Sequence, residues 1–281
     1  MVGNMRLFLK YASTCGFLSV VLLLSSCSPN VTDRPAMPIN DWFDARYEEE
    51  LQFSPISLSY MGRKDRNDEL GDFSYEAFKQ RLAWKQQTVE ALGSLYDYES
   101  LTAEEQTSFD IWTYQYEQML KAEPFFYSGL TFDQMNGVQN FLPTFLINIH
   151  KVDNAADMQA YIARVKAVAL RMNESLDNAK RSSALGVTSP GFALQGVIQQ
   201  SNAIITGAPF TSHEPGDAPV ADSAIWADMK QEIAALIDAA EITQPQADAL
   251  LANARLALLE DFQPAYQRII NWAEAEQDKV P

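Results

Sequence analysis

Histidine and cysteine are almost missing: the 281 residues hold two of each. Basic residues are also scarce, 21 Lys and Arg against 37 Asp and Glu, for a net charge of -16. A phosphate backbone needs a concentrated positive field, so nucleic acid is excluded as a partner. Twelve Gly and 13 Pro without a fixed period exclude collagen-like and low-complexity chains. Patterns of the type G-x-S-x-G, G-x-G-x-x-G and the phosphate-binding loop are absent, which removes the commonest serine hydrolases, dinucleotide binders and P-loop enzymes. What the chain does have is 47% apolar residues, enough for a sizeable core.

The first 26 residues carry Arg6 and Lys10, no acid, and an apolar run, Phe17 to Leu24, too short to span a bilayer that needs ~20 apolar residues. The run ends in Leu24-Ser25-Ser26-Cys27, which looks like a bacterial lipobox. Small residues at 25 and 26 fit a signal peptidase, and the Cys27 thiol takes the lipid. More than one acyl chain then anchors the protein stably. Residues 1–26 therefore read as a lipoprotein signal peptide, 27–39 with three prolines as a lipid-anchored tether, and 40–281 as the folded domain. Ser28, where Asp is absent, resembles the sorting position of Gram-negative lipoproteins sent to the outer membrane, facing the periplasm. Cys15 leaves with the signal and Cys27 is consumed by lipid, so a disulfide, a Cys-bound zinc and a Cys nucleophile are excluded from the domain.

Helical signals fill the rest. Asn40 is placed to cap a first helix, Ser74 opens a second with Phe78, Leu82, Val89 and Leu92 at helical spacing, and Thr102 with Glu105 forms a capping box for a third. Residues 54–72 read as a polar loop and 125–133 as a buried aromatic connector. A helix over 138–150 contains Pro143. Asn154 caps a long helix ending near Gly186, and Ser189-Pro190 starts another. Two more helices close the chain, the last bent at Pro264. The fold class is all-α, an antiparallel array of about eight helices. Leu251, Leu258, Phe262, Ile269, Ile270 and Trp272 form a strong stripe near the end, which predicts an apolar face left open and a domain truncated at its C-terminus.

Histidine supply limits the chemistry most. His150 ends an apolar helix, where a cation would complement the dipole. His213-Glu214-Pro215-Gly216-Asp217 has only one of the two imidazoles of H-E-x-x-H, and Pro215 with Gly216 opposes the helix that would align them, so it reads as surface loop. The many carboxylate pairs read as solvated faces. Aromatics such as Tyr114, Tyr116 and Phe125 to Tyr127 read as packing more than as a groove. No catalytic, metal or cofactor residue is assigned, and the chain alone is expected to hold no zinc and cleave no peptide.

Several segments, in order, resemble one family: Ser54-Pro-Ile-Ser-Leu-Ser-Tyr-Met-Gly62, Phe132-Asp-Gln-Met-Asn-Gly137, Phe141-Leu-Pro-Thr-Phe-Leu146, Tyr161-Ile-Ala-Arg164, Gly186-Val-Thr-Ser-Pro190 and Asn253 to Phe262. Together, over about residues 40 to 279, they resemble the bacterial domain-of-unknown-function 885 family. Members are similar to helical zinc metallopeptidases of the zincin type, with the H-E-x-x-H motif in a C-terminal half. The resemblance implies that this chain is the N-terminal portion of such a lipoprotein, one wall of a substrate cleft for peptide, with the zinc belonging to the missing half. Gln134, Arg164 and the 206–220 loop are then the residues expected to face the cleft. The alternative is a non-catalytic helical lipoprotein that binds a periplasmic partner.

Overall fold

A computed structural model describes residues 37–211 and 220–280. Cys27, nearly all of the tether, and His213 with Asp217 lie outside the described residues. Ten helical segments follow one another: α1 Ile39–Leu51, α2 Pro55–Tyr60, α3 Tyr75–Leu95, α4 Ala103–Ala122, α5 Val138–Ile149, α6 Ala155–Ala184, α7 Gly191–Ile204, α8 Ala224–Asp238, α9 Gln244–Ala257 and α10 Gln263–Gln277. The last two run on through a π turn, Leu258–Phe262, so the described residues form nine helical rods and no strand. The all-α expectation holds. The extra rod is α2, inside the expected polar loop: Ser54 caps it by accepting from Ser57 N at 3.3 Å, and Pro55 sits at its first position.

Most caps are those the sequence announces. Ser74 accepts from Ala77 N, the Thr102–Glu105 box is complete, and Asn154 accepts from Ala156 N and Asp157 N. Asn40 is not a cap. The cap lies two residues earlier, at Pro38, whose carbonyl accepts from Trp42 N, because Ile39 and Trp42 are both buried and set the register. The 125–133 connector is also not buried. It holds a 3₁₀ turn, Glu123–Ser128, with Phe125 67% exposed, and only Phe132 goes into the core.

The 30-residue α6 is the axis of the larger core, packed by α5, α9, the π turn and α10, with α7 lying along α10. Leu142, Leu146, Val165, Val168, Leu194, Phe262 and Ile269 are among its fully buried side chains. Each such residue contributes about 1.5–3 kcal/mol relative to exposure. The C-terminal stripe belongs to this core: Leu258, Phe262, Ile269 and Ile270 are buried against it and Trp272 lies on Phe132. The expected open face is therefore closed by helices already present. A smaller cluster of Ile39, Trp42, Leu92 and Trp112 joins α1, α3 and α4.

Both helix-breaking prolines are accommodated by named partners. Pro143 cannot donate to the Gln139 carbonyl one turn back, and that oxygen instead accepts from the buried Tyr266 hydroxyl at 2.6 Å. Pro264 leaves the Glu260 carbonyl without its donor, and the chain widens there, Gln263 N reaching back five residues to Leu258 O.

Candidate functional site

Along α6, residues 157, 161, 164, 168, 171 and 175 recur at spacings of four and three, so they share one edge of the helix. That edge is buried, yet it reads Asp, Tyr, Arg, Val, Arg, Ser. The Tyr161 hydroxyl donates to Asp228 of α8 at 2.6 Å, and the charged groups of the edge are met by residues 59–73, the end of α2 and the segment that joins it to α3. Arg164 is wholly buried and donates to Glu69 O (2.9 Å), Asn67 Oδ1 (3.2 Å), Ser59 Oγ (2.8 Å) and His150 Nδ1 (2.8 Å). Its guanidinium also lies over the Phe145 ring at 5.2 Å. Asp157 receives Lys64, and Arg171 bridges Gly71 O and Glu174, which also accepts from Phe73 N at 3.0 Å. A segment with little core of its own is thereby fastened to the central helix.

The neutral His150 ring is held as one tautomer. Its Nδ1 accepts from Arg164, so its Nε2 carries the hydrogen and donates to Asp157 O at 3.0 Å. Burial, assisted by the Arg164 charge, pulls its pKa down to about 4. The cation expected at this helix end is thus a neutral imidazole. Both nitrogens are committed, and a cation placed there would meet a guanidinium. His150 is therefore not placed to ligate zinc, and among the described residues no three His, Cys, Asp or Glu side chains are grouped to hold a metal.

The outer side of the same segment forms the wall of a cavity of about 490 Å³. Its other walls are Gln52 and Phe53 after α1, the α3 face of Ser74, Ala77, Phe78 and Arg81, and Phe126 of the 3₁₀ turn. Gly71 turns the chain at φ +82°, a left-handed conformation that side chains disfavour, and presents its carbonyl to Arg171. Three arginines, 66, 81 and 171, and two acids, Glu69 and Asp72, line the space.

Comparison with known proteins places this geometry in a family. The model for bacterial proteins of unknown function (DUF885) matches residues 55–280. The chain belongs to the DUF885 family. The crystal structure described as "the putative lipoprotein from Colwellia psychrerythraea" is similar with a TM-score of 0.65 and 14% identity, over 87% of this chain and 42% of that one. At that identity the likeness speaks for the fold. This DUF885 chain spans less than half the length of that protein. No curated protein matches.

The residues expected to face a cleft fall out differently in this DUF885 structure. Arg164 faces the interior, because its donors are needed by His150 and the 59–73 segment. Gln134 is half-buried in a tight turn: Asp133 Oδ1 accepts from Met135 N and Asn136 N, Gln200 donates to Gln134 O at 2.8 Å, and the Gln134 Cβ rests where a Cβ on Gly196 would stand, 2.6 Å away. It is a packing contact on α7. The 206–211 part of the loop is tied by Ala208 to Ala221 and Ser223, and the remainder is outside the described residues. Sequence reasoning missed Lys85, which is wholly buried over the Trp112 ring at 3.2 Å with Gln115 at 2.8 Å and Glu50 at 3.3 Å. The signal was there, since residue 85 sits on the stripe of Leu82, Val89 and Leu92. Arg171 and the cavity were missed because their partners are distant in sequence.

Proposed function

We propose that this chain is the substrate-binding helical portion of a peptidase-like lipoprotein, held at the outer membrane and facing the periplasm through a lipidated Cys27, with no hydrolytic centre of its own. The observation that carries the reading is the cavity built on the 66–74 segment and braced from behind by α6: it offers charged and aromatic walls for binding, its one hydroxyl, Ser74, caps α3, and no imidazole lines it to activate that hydroxyl. Family membership and the recurrence of the fold as 42% of a longer chain support a role within a larger protein. Any zinc would draw its ligands from outside the described residues. The lipoprotein description of the Colwellia protein agrees with the lipobox ending at Cys27.

The test has two arms. Labelled palmitate enters the wild-type chain but not Cys27→Ala, and only the labelled form sediments with outer membranes. A panel of quenched peptides is left intact by the purified chain. Chelator-sensitive hydrolysis abolished by His213→Ala overturns the second arm, and an unlabelled soluble product overturns the first. A second reading, a non-catalytic lipoprotein that engages a periplasmic partner, is favoured by Met135 and Phe192, which are 76% and 72% exposed.

A further inference from the structure

The arginines of the cavity differ in what holds them. Arg66 is paired with Glu69 and donates to Gln52 O, and Arg171 is held by Glu174 and Gly71 O with Asp72 at 3.8 Å. Both brace the loop. Arg81 has no ion-pair or hydrogen-bond partner among the described residues, although it lines this cavity and the neighbouring one. The one acid that lines the neighbouring cavity, Glu50, is engaged by Lys85. Resting on the reading of this chain as a substrate-binding portion, we propose that the cavity binds a single carboxylate carried on an aromatic or apolar body, with Arg81 receiving the carboxylate.

Five physical points lead there. Ser74, Ala77, Phe78 and Arg81 are spaced as one face of α3, so the guanidinium is presented one turn beyond an aromatic wall. Phe78 and Phe126 meet at 5.3 Å, and Phe53 also lines the space, which supplies apolar surface for the body of the ligand. A guanidinium with a free fork pairs a carboxylate through two parallel N–H donors. Glu69 and Asp72 share the cavity, leaving three positive groups against two negative, so a monoanion is accommodated where a dianion such as phosphate meets repulsion. The volume of about 490 Å³ is that of a pocket for one small organic molecule.

N-acetyl-L-phenylalanine, its neutral amide and inorganic phosphate are the probes, titrated calorimetrically against the detergent-solubilised full chain. The carboxylate is expected to bind, and the amide and the Arg81→Gln variant are each expected to bind about tenfold to hundredfold more weakly, the loss of one charge-assisted pair. Arg81→Lys, which keeps a point charge without the fork, falls between, and Arg255→Gln on the exposed face of α9 leaves affinity unchanged. Arg81 is exposed, and circular dichroism verifies that its variants fold. The proposal is overturned if the carboxylate does not bind, if the amide binds as well, if phosphate binds more tightly, or if Arg81→Gln has no effect. These outcomes leave the lipidation and hydrolysis tests of the wider reading untouched.

Discussion

Protonating His150 should cost the fold part of its stability within a defined pH interval. The unfolded imidazole titrates near 6.5 and the native one at about 4. Between those values the unfolded chain binds more protons at this residue, so stability rises with pH from about 4 to 6.5 and is level above. The gap corresponds to on the order of 3 kcal/mol, full above pH 6.5 and lost as the pH falls through the interval. His150 is only 4% exposed, so screening by solvent is weak. Other groups titrate nearby in the opposite sense: burial raises Glu174, Asp228 and Glu232, and each loses stability as pH rises. The comparison must therefore be a difference. His150→Asn keeps an acceptor for Arg164 near the Nδ1 position and removes the titration. Urea unfolding of both proteins at steps from pH 4 to 8 should show the wild type ahead above pH 6.5 and its advantage shrinking by on the order of 3 kcal/mol toward pH 4. A difference that stays constant with pH refutes the neutral, doubly bonded imidazole. The C2 proton resonance lost in the variant should, in the wild type, titrate near 4.

Three further outcomes follow from the packing. Tyr266→Phe leaves the Gln139 carbonyl without a donor and should cost about 1–3 kcal/mol, whereas in a Pro143→Ala background the helix supplies its own N–H and the cost should fall; thermal melts of the four proteins measure the coupling. Arg164→Ala removes the donors of Ser59, Asn67, Glu69 O and His150 and opens a void, for a loss of about 2–5 kcal/mol in denaturant titration, with hydrogen exchange in residues 59–73 rising most. Lys85→Met keeps the stem volume and discards a charge that burial disfavours, so stability should move by less than about 1.5 kcal/mol, against a larger loss for Lys85→Ala.

The helices were legible because their signals are local. Ser74, Thr102, Glu105 and Asn154 each declare a boundary through a side chain that bonds its own backbone within three residues. Boundaries set by packing were not legible: Ile39 starts α1 for the sake of the Trp42 cluster, and α2 is a single helical turn and a half hidden in a stretch whose composition is that of a loop. The C-terminal stripe was seen correctly as apolar and read wrongly as open. A stripe tells that a helix has a buried face, but what covers it is a question of topology, and here α6 and α7 lie far upstream in the chain.

The segments that carry the family resemblance turn out to do mechanical work. Pro143 in Phe141 to Leu146 frees the carbonyl that Tyr266 takes, Asp133 in Phe132 to Gly137 folds the turn against Gly196, Asn253 to Phe262 ends in the π turn, and Arg164 in Tyr161 to Arg164 holds His150 and the 59–73 segment. Each spends its polar groups on the chain itself. A residue so committed cannot also serve a ligand without leaving a buried partner unsatisfied, at a cost of about 1–3 kcal/mol per group. Prominence in sequence therefore pointed to Arg164, whereas the guanidinium without a partner among the described residues is that of Arg81, an exposed residue in α3. Arg164 and Arg81 bear on the same segment from opposite sides: one fastens its inner surface to α6, and the other faces the cavity that its outer surface helps to wall. Loosening the first should blur the second, so the Arg164→Ala variant should weaken carboxylate binding even though Arg164 itself does not line the cavity.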